Sequence, residues 1–170
     1  MRKIYRATLL LLFLLVSSLF ALAQNLFFTP MSESAVSSAN SNRVIIPVKY
    51  NTVKAEMDQL KTFLWTLPSE KNVTQSLAPV MQIPMPDGRM ARFRVWESSI
   101  QEPALEAKFP DIKTFAGQGI DDIYAGIRFD IGPRGFHAQV LTINGTYYID
   151  PYAVGNTTDY ISYFSKSFLK

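Results

Sequence analysis

The chain has 170 residues, with no cysteine, one histidine, 12 phenylalanines and eight tyrosines. Without cysteine there is neither a disulfide framework nor a thiolate metal site, so stability has to come from burial, to which aromatic side chains contribute large apolar areas. The formal charge of +3 at pH 7 is no nucleic-acid footprint: Arg2, Lys3 and Arg6 stand at the extreme N-terminus, and the rest of the chain carries 14 residues of each sign.

The N-terminus reads as a cleavable signal peptide over residues 1–23. The three basic residues form its positive region, an unbroken apolar run follows over 9–16, and Ala21-Leu22-Ala23 supplies the small-residue site that places the cut between Ala23 and Gln24. The strictly apolar run is short for a membrane span. Contact with the membrane is therefore expected only through the transient leader, and the product is expected to be secreted, periplasmic or cell-surface. No lipid-anchored variant is available without cysteine. Cleavage leaves 147 of the 170 residues, one domain's worth of chain.

Residues 24–43 read as a flexible lead-in, rich in Ser, Ala and Asn and without apolar period, ahead of a single domain at 44–170. Residues 44–50 are apolar and β-branched, a predicted strand with Pro47 marking an edge. Asn51 or Thr52 then caps a helix whose face is Val53, Met57, Leu60, Leu64 and Leu67, and Pro68 stops it. From Leu77 the period falls to two. Met81, Ile83 and Met85 alternate, Pro86-Asp87-Gly88-Arg89 turns the chain, and Ala91, Phe93 and Val95 alternate back. Pro103 opens a short helix over 104–109.

The remainder reads as a meander: a strand at 112–116, a glycine-rich loop at 117–122, alternation from Ile123 to Phe129, a turn at Gly132-Pro133-Arg134-Gly135, a strand at 136–143, a turn at Asn144-Gly145, a strand at 146–152 and a last one at 160–164. The fold class expected is α+β, a mainly antiparallel β-sheet or sandwich meander with one amphipathic helix and one short helix.

Catalytic signatures are missing from this pattern. His137 is the only histidine, whereas a histidine zinc site uses two or three. Neither a phosphate-binding loop nor a dinucleotide fingerprint is present; Gly117-Gln118-Gly119 lacks the third glycine and the helix. No cofactor is expected in this chain. Two carboxylate features remain, Asp121-Asp122 in the loop and Asp150 before Pro151, and turn chemistry explains loop aspartates more simply than a metal. Tyr147, Tyr148, Tyr152, Tyr160 and Tyr163 would serve either as sheet packing or as a stacking surface for a carbohydrate.

Several strings in fixed order resemble a known family. They are Pro84-Met85-Pro86-Asp87-Gly88, Phe93-Arg94-Val95 with Glu97-Ser98, EPALEAKFPDIKTFAGQG over 102–119, Ile120-Asp121-Asp122, IRFD over 127–130, Gly135-Phe136-His137-Ala138, and Tyr147-Tyr148-Ile149-Asp150-Pro151-Tyr152. Together, over 44–164, they resemble the N-terminal proregion of secreted bacterial zinc metallopeptidases of the reprolysin-like (adamalysin) type. The resemblance implies a propeptide that assists folding of a zinc metallopeptidase catalytic domain and keeps it latent. Zinc and the His-Glu-x-x-His helix would then belong to that domain, downstream of Lys170 or on a separate chain, and the 170 residues would be non-catalytic, a truncated precursor or a free-standing inhibitor. Animal relatives hold the zinc with a proregion cysteine, which is absent here. Latency is then expected from steric occupation, with Asp121 and Asp122 the candidates for a latch onto the partner zinc. The alternative reading is a free-standing secreted module for carbohydrate or cell-surface partners, and no nucleic acid is expected as a partner on either reading.

Overall fold

The computed structural model describes residues 26–36 and 42–168; the leader and its cleavage site at Ala23 and Gln24 lie outside the described residues. Strand β1 (Phe28–Pro30) and β2 (Asn51–Ala55) precede helix α1 (Met57–Leu64). Then come β3 (Val80–Pro84), β4 (Met90–Glu97), helix α2 (Pro103–Glu106), β5 (Lys113–Gly119), β6 (Gly126–Gly132), β7 (Gly135–Thr142), β8 (Gly145–Pro151) and β9 (Asp159–Phe164). Among the described residues these nine strands make one antiparallel sheet in the order β1-β2-β9-β8-β7-β6-β5-β4-β3. The two ends of that order, β1 and β3, approach each other, and the Ser162 hydroxyl of β9 donates to the Pro84 carbonyl of β3 at 2.9 Å. The sheet is thus curled into a nearly closed barrel. The expected α+β, mainly antiparallel class is the one observed, with the meander of β3 to β8 as its backbone.

Alternation decides what lies inside. Phe93 and Val95, Phe115, Ile127, Phe129 and Ile131, Phe136, Ala138 and Val140, Tyr147 and Ile149, and Tyr160 all point inward into one cluster, joined by Leu60 and Leu64 of α1. The interior is filled by rings: Phe136 lies 5.3 Å from Phe28 and 5.5 Å from Phe129, and Phe129 stacks on Phe115 at 5.0 Å. The hairpin turns carry the backbone they require, with φ of 88° at Gly88, 103° at Gly135 and 118° at Gly145.

Three expectations are corrected. Residues 44–50 are not a strand; they cross the outer face with Val44, Ile46 and Val48 in solvent, and strand pairing starts only at Asn51. The helix starts at Met57, and Val53 belongs to β2, opposite Tyr160. Val53 lies four residues before Met57 and two before Ala55, so it satisfies both periods, and pairing with β9 and β1 selects the strand. The third correction concerns the lead-in. Phe27 and Phe28 are buried in the core, Phe28 pairs with Ala55, and residues 31–36 fold onto the outside of β8 and β9. There the Arg43 guanidinium is sandwiched between Tyr50 and Tyr152, 5.0 and 4.1 Å from their ring centres, and both phenols donate to Glu33.

The glycine-rich loop expected at 117–122 is corrected as well, since its first three residues belong to a strand. Gly117 and Gly119 lie within β5, where a Cβ on Gly117 would stand 2.6 Å from the Arg94 carbonyl oxygen. Close strand approach, not a loop, is why glycine is needed there.

Candidate functional site

The inward positions of β6, β7 and β8 are apolar, so their outward positions are free to be polar. Arg128 and Asp130 on β6, His137 and Gln139 on β7, and Tyr148 and Asp150 on β8 form rows across the sheet, with Asp130 directly opposite His137. Together with Ser98 and Thr114 they line an open groove of about 290 Å³. An apolar hollow of about 460 Å³, between Val44, Ile45, Pro133, Pro151 and Val154, adjoins it across His137.

His137 is the hinge of the groove. Its Nδ1 lies 2.8 Å from Asp150 Oδ1, and the Tyr163 hydroxyl donates to Asp150 Oδ2 at 2.8 Å. The hydrogen bond to Asp150 raises the pKa of the imidazole, while burial raises that of the facing Asp130 carboxyl. Both shifts act in one direction. A histidine whose folded value is raised stabilises the fold below its ordinary value of 6.5 and loses that contribution as pH rises through the folded value. A raised carboxyl likewise disfavours the folded state once it ionises. The thermal midpoint is therefore expected to be higher at about pH 6 than at about pH 8, and His137→Asn should flatten that slope. An unchanged slope in the variant, followed by calorimetry, would place the titration elsewhere.

A histidine–aspartate pair is half of a nucleophile-activating arrangement. The hydroxyls that line the groove are engaged otherwise. Ser98 Oγ donates to Glu70 at 2.6 Å and accepts from Arg128 at 3.1 Å, and Thr114 Oγ1 donates to the Ser98 carbonyl at 2.7 Å. Geometrically the groove is suited to recognition through charges of both signs. Among the described residues no three His, Cys, Asp or Glu side chains group as metal ligands, and no helix is long and apolar enough to cross a membrane.

The two latch candidates sit on the loop after β5, residues 120–125, at the far end of the strands from the groove. Both carboxylates are turned to local work. Asp121 receives Arg92 Nη2 at 2.6 Å and Nε at 3.0 Å on one oxygen and the Arg92 amide at 2.8 Å on the other. The bond from the Arg92 side chain holds the Asp121 carboxyl below its ordinary range. Asp122 Oδ1 caps the Tyr124 amide at 3.0 Å. The neighbours in sequence thus serve different donors and form no joint chelate in this structure.

No protein-family model, curated protein or solved structure matches the chain.

The His137–Asp150 contact joins two strands whose pairing the sequence reading did not use. The signal was the turn. With Ile143 and Asn144 at its tip, Thr142 pairs with Gly145, and one step beyond the Ala138–Ile149 pair the register sets His137 against Asp150. Reading the turn at Asn144-Gly145 instead would oppose His137 to Tyr152. Of the tyrosines considered as a stacking surface, Tyr147, Tyr152, Tyr160 and Tyr163 are buried and Tyr148 is half-buried.

Proposed function

We propose that this protein is a non-catalytic domain that binds the folded catalytic domain of a reprolysin-like zinc metallopeptidase, aids its folding and keeps it latent. One observation carries the reading. The strings that resemble the proregion come from separate parts of the chain, yet their polar residues Ser98, Arg128, Asp130, His137, Tyr148 and Asp150 line one groove on the outside of the sheet. Side chains on that outer face do not build the barrel core, so their convergence is of use chiefly for recognition. A domain that binds the folded protease and not its unfolded chain stabilises it by mass action, which would supply both the folding aid and the latency.

The test is inhibition of a secreted reprolysin-like catalytic domain from the source organism by the purified protein. A stoichiometric complex with a dissociation constant on the order of 10 nM is expected, about 11 kcal/mol of binding. Absence of inhibition at roughly 10 μM, with capture of the protein on immobilised glycans, would replace this reading by the carbohydrate-binding one.

A further inference from the structure

The apolar hollow beside the groove is open to charge of one sign only. Its walls are the 44–45 segment and the connection after β8, and the Val154 amide ties the two by donating to the Asn42 carbonyl at 3.0 Å. Ile45 and Ala153 also pack into the outer cluster with Tyr152, Ile161 and Tyr163, so both walls rest on the outside of the sheet. Among the described residues the ionisable side chains that line the hollow are Arg134 and His137, and both are positive when charged. Asp130 and Asp150 line the neighbouring groove and not the hollow, and the Asp150 carboxylate is already met by His137 and Tyr163.

Arg134 stands at this rim with no partner in the fold. Gly132 pairs with Gly135, which leaves Pro133 and Arg134 as the tip of the turn between β6 and β7. Among the described residues Arg43, Arg89, Arg92, Arg94 and Arg128 each donate a side-chain hydrogen bond, whereas Arg134 donates none. A concave, mainly apolar cavity of a few hundred Å³ with one or two polar groups is the usual form of a small-molecule site. An unpaired guanidinium on its rim matches a carboxylate, which it can hold through parallel N–H donors. We propose that the hollow binds a small apolar monocarboxylate of the medium-chain fatty-acid class, with its chain against Val44, Ile45, Pro151 and Val154 and its carboxylate on Arg134. The site shares only His137 with the groove and does not depend on the function proposed above.

The experiment titrates the purified protein with octanoate, followed by calorimetry and by amide chemical shifts. A dissociation constant on the order of 100 μM is expected. Decanoate should bind about tenfold tighter, since each methylene added to a buried chain contributes roughly fourfold. The shifts should concentrate at Val44, Ile45, Val154 and Gly155. Octanol and octylammonium have the same chain without the negative charge and should bind about tenfold more weakly than octanoate. Arg134→Gln, at an exposed turn, should keep the melting temperature and lower the affinity for octanoate to that for octanol. Val154→Asp, also at an exposed position, places a like charge on the wall and should weaken octanoate about tenfold while sparing octylammonium. Equal binding of the three probes, or octanoate binding that Arg134→Gln leaves intact, would mean an unselective apolar surface and overturn the proposal. Absence of binding at roughly 10 mM octanoate would overturn it as well.

Discussion

Replacing Phe136 by alanine is expected to lower the unfolding free energy by about 3–5 kcal/mol, the largest effect of any single truncation in the barrel. Phe136 is fully buried and stands where three elements meet, in ring contact with Phe28 of β1, Phe129 of β6 and Tyr160 of β9. Its own amide donates to the Tyr160 hydroxyl at 3.1 Å, and Gly135 beside it has no room for a side chain, because a Cβ there would lie 2.7 Å from the same oxygen. The surrounding backbone is therefore fixed by strand pairing and cannot collapse into the space the ring leaves. A chain of this size loses roughly 2–4 °C in melting temperature per kcal/mol, so a drop of about 10 °C is expected. Phe109→Ala is the control. That ring is half in solvent, at 51% exposure, and its removal should change stability by less than about 0.5 kcal/mol. Urea unfolding of the two variants side by side checks the prediction, and a loss below about 1 kcal/mol at Phe136 would mean that the core is loosely packed there.

Gly119→Ala is expected to be the most damaging substitution for the loop that follows β5. A Cβ at Gly119 would run into the Asp122 carbonyl oxygen and lie 3.0 Å from Ala125 Cβ. These are atoms of the loop that folds back over the strand end, and backbone cannot yield as a flexible side chain can. The loop has to lift, which breaks the Gly119–Ala125 bond and withdraws the Asp121 strut from Arg92. Overpacking of this kind costs about 1–3 kcal/mol. The amides of Tyr124 and Ala125 should then exchange with solvent much faster than in the parent, while the interior of β7 and β8 keeps its protection. Gly126→Ala offers a matched comparison seven residues on, since a Cβ there meets nothing within 4 Å. If Gly119→Ala left exchange at the parental rate, the close approach at Gly119 would not be what holds the loop.

These two substitutions separate the properties of the barrel from those of its corner. The inward residues of β4 to β9 determine whether the sheet closes, and the 120–125 loop determines what the closed sheet presents. Between them lies the groove around His137, whose imidazole keeps its proton to higher pH through the bond to Asp150.

The sequence by itself determined the antiparallel meander, because its inward apolar residues recur at every second position (Phe93 and Val95; Ile127, Phe129 and Ile131; Phe136, Ala138 and Val140; Tyr147 and Ile149) and glycine serves the turns at Gly88, Gly135 and Gly145. The Pro133-Arg134 turn was legible to the residue, and with it the pairing of Asp130 with His137. The short helix α2 was legible from Pro103, which starts it. Where residues fit two periods, the sequence was silent. Val53 suits strand or helix, the exposed run at 44–50 has strand composition without strand partners, and Phe27 and Phe28 sit in a stretch whose neighbours carry no pattern at all. Pairing with β9, a strand more than 100 residues later, assigned Val53, and pairing with β2 assigned Phe28. The same holds for the sites. Composition could name Asp121, Asp122 and Asp150 as carboxylates, but a carboxylate's role is set by the donors that tertiary structure brings to it. For Asp121 that donor is Arg92, 29 residues away in sequence. For Asp150 it is His137, brought opposite by a turn whose one-residue placement decides which side chain faces which.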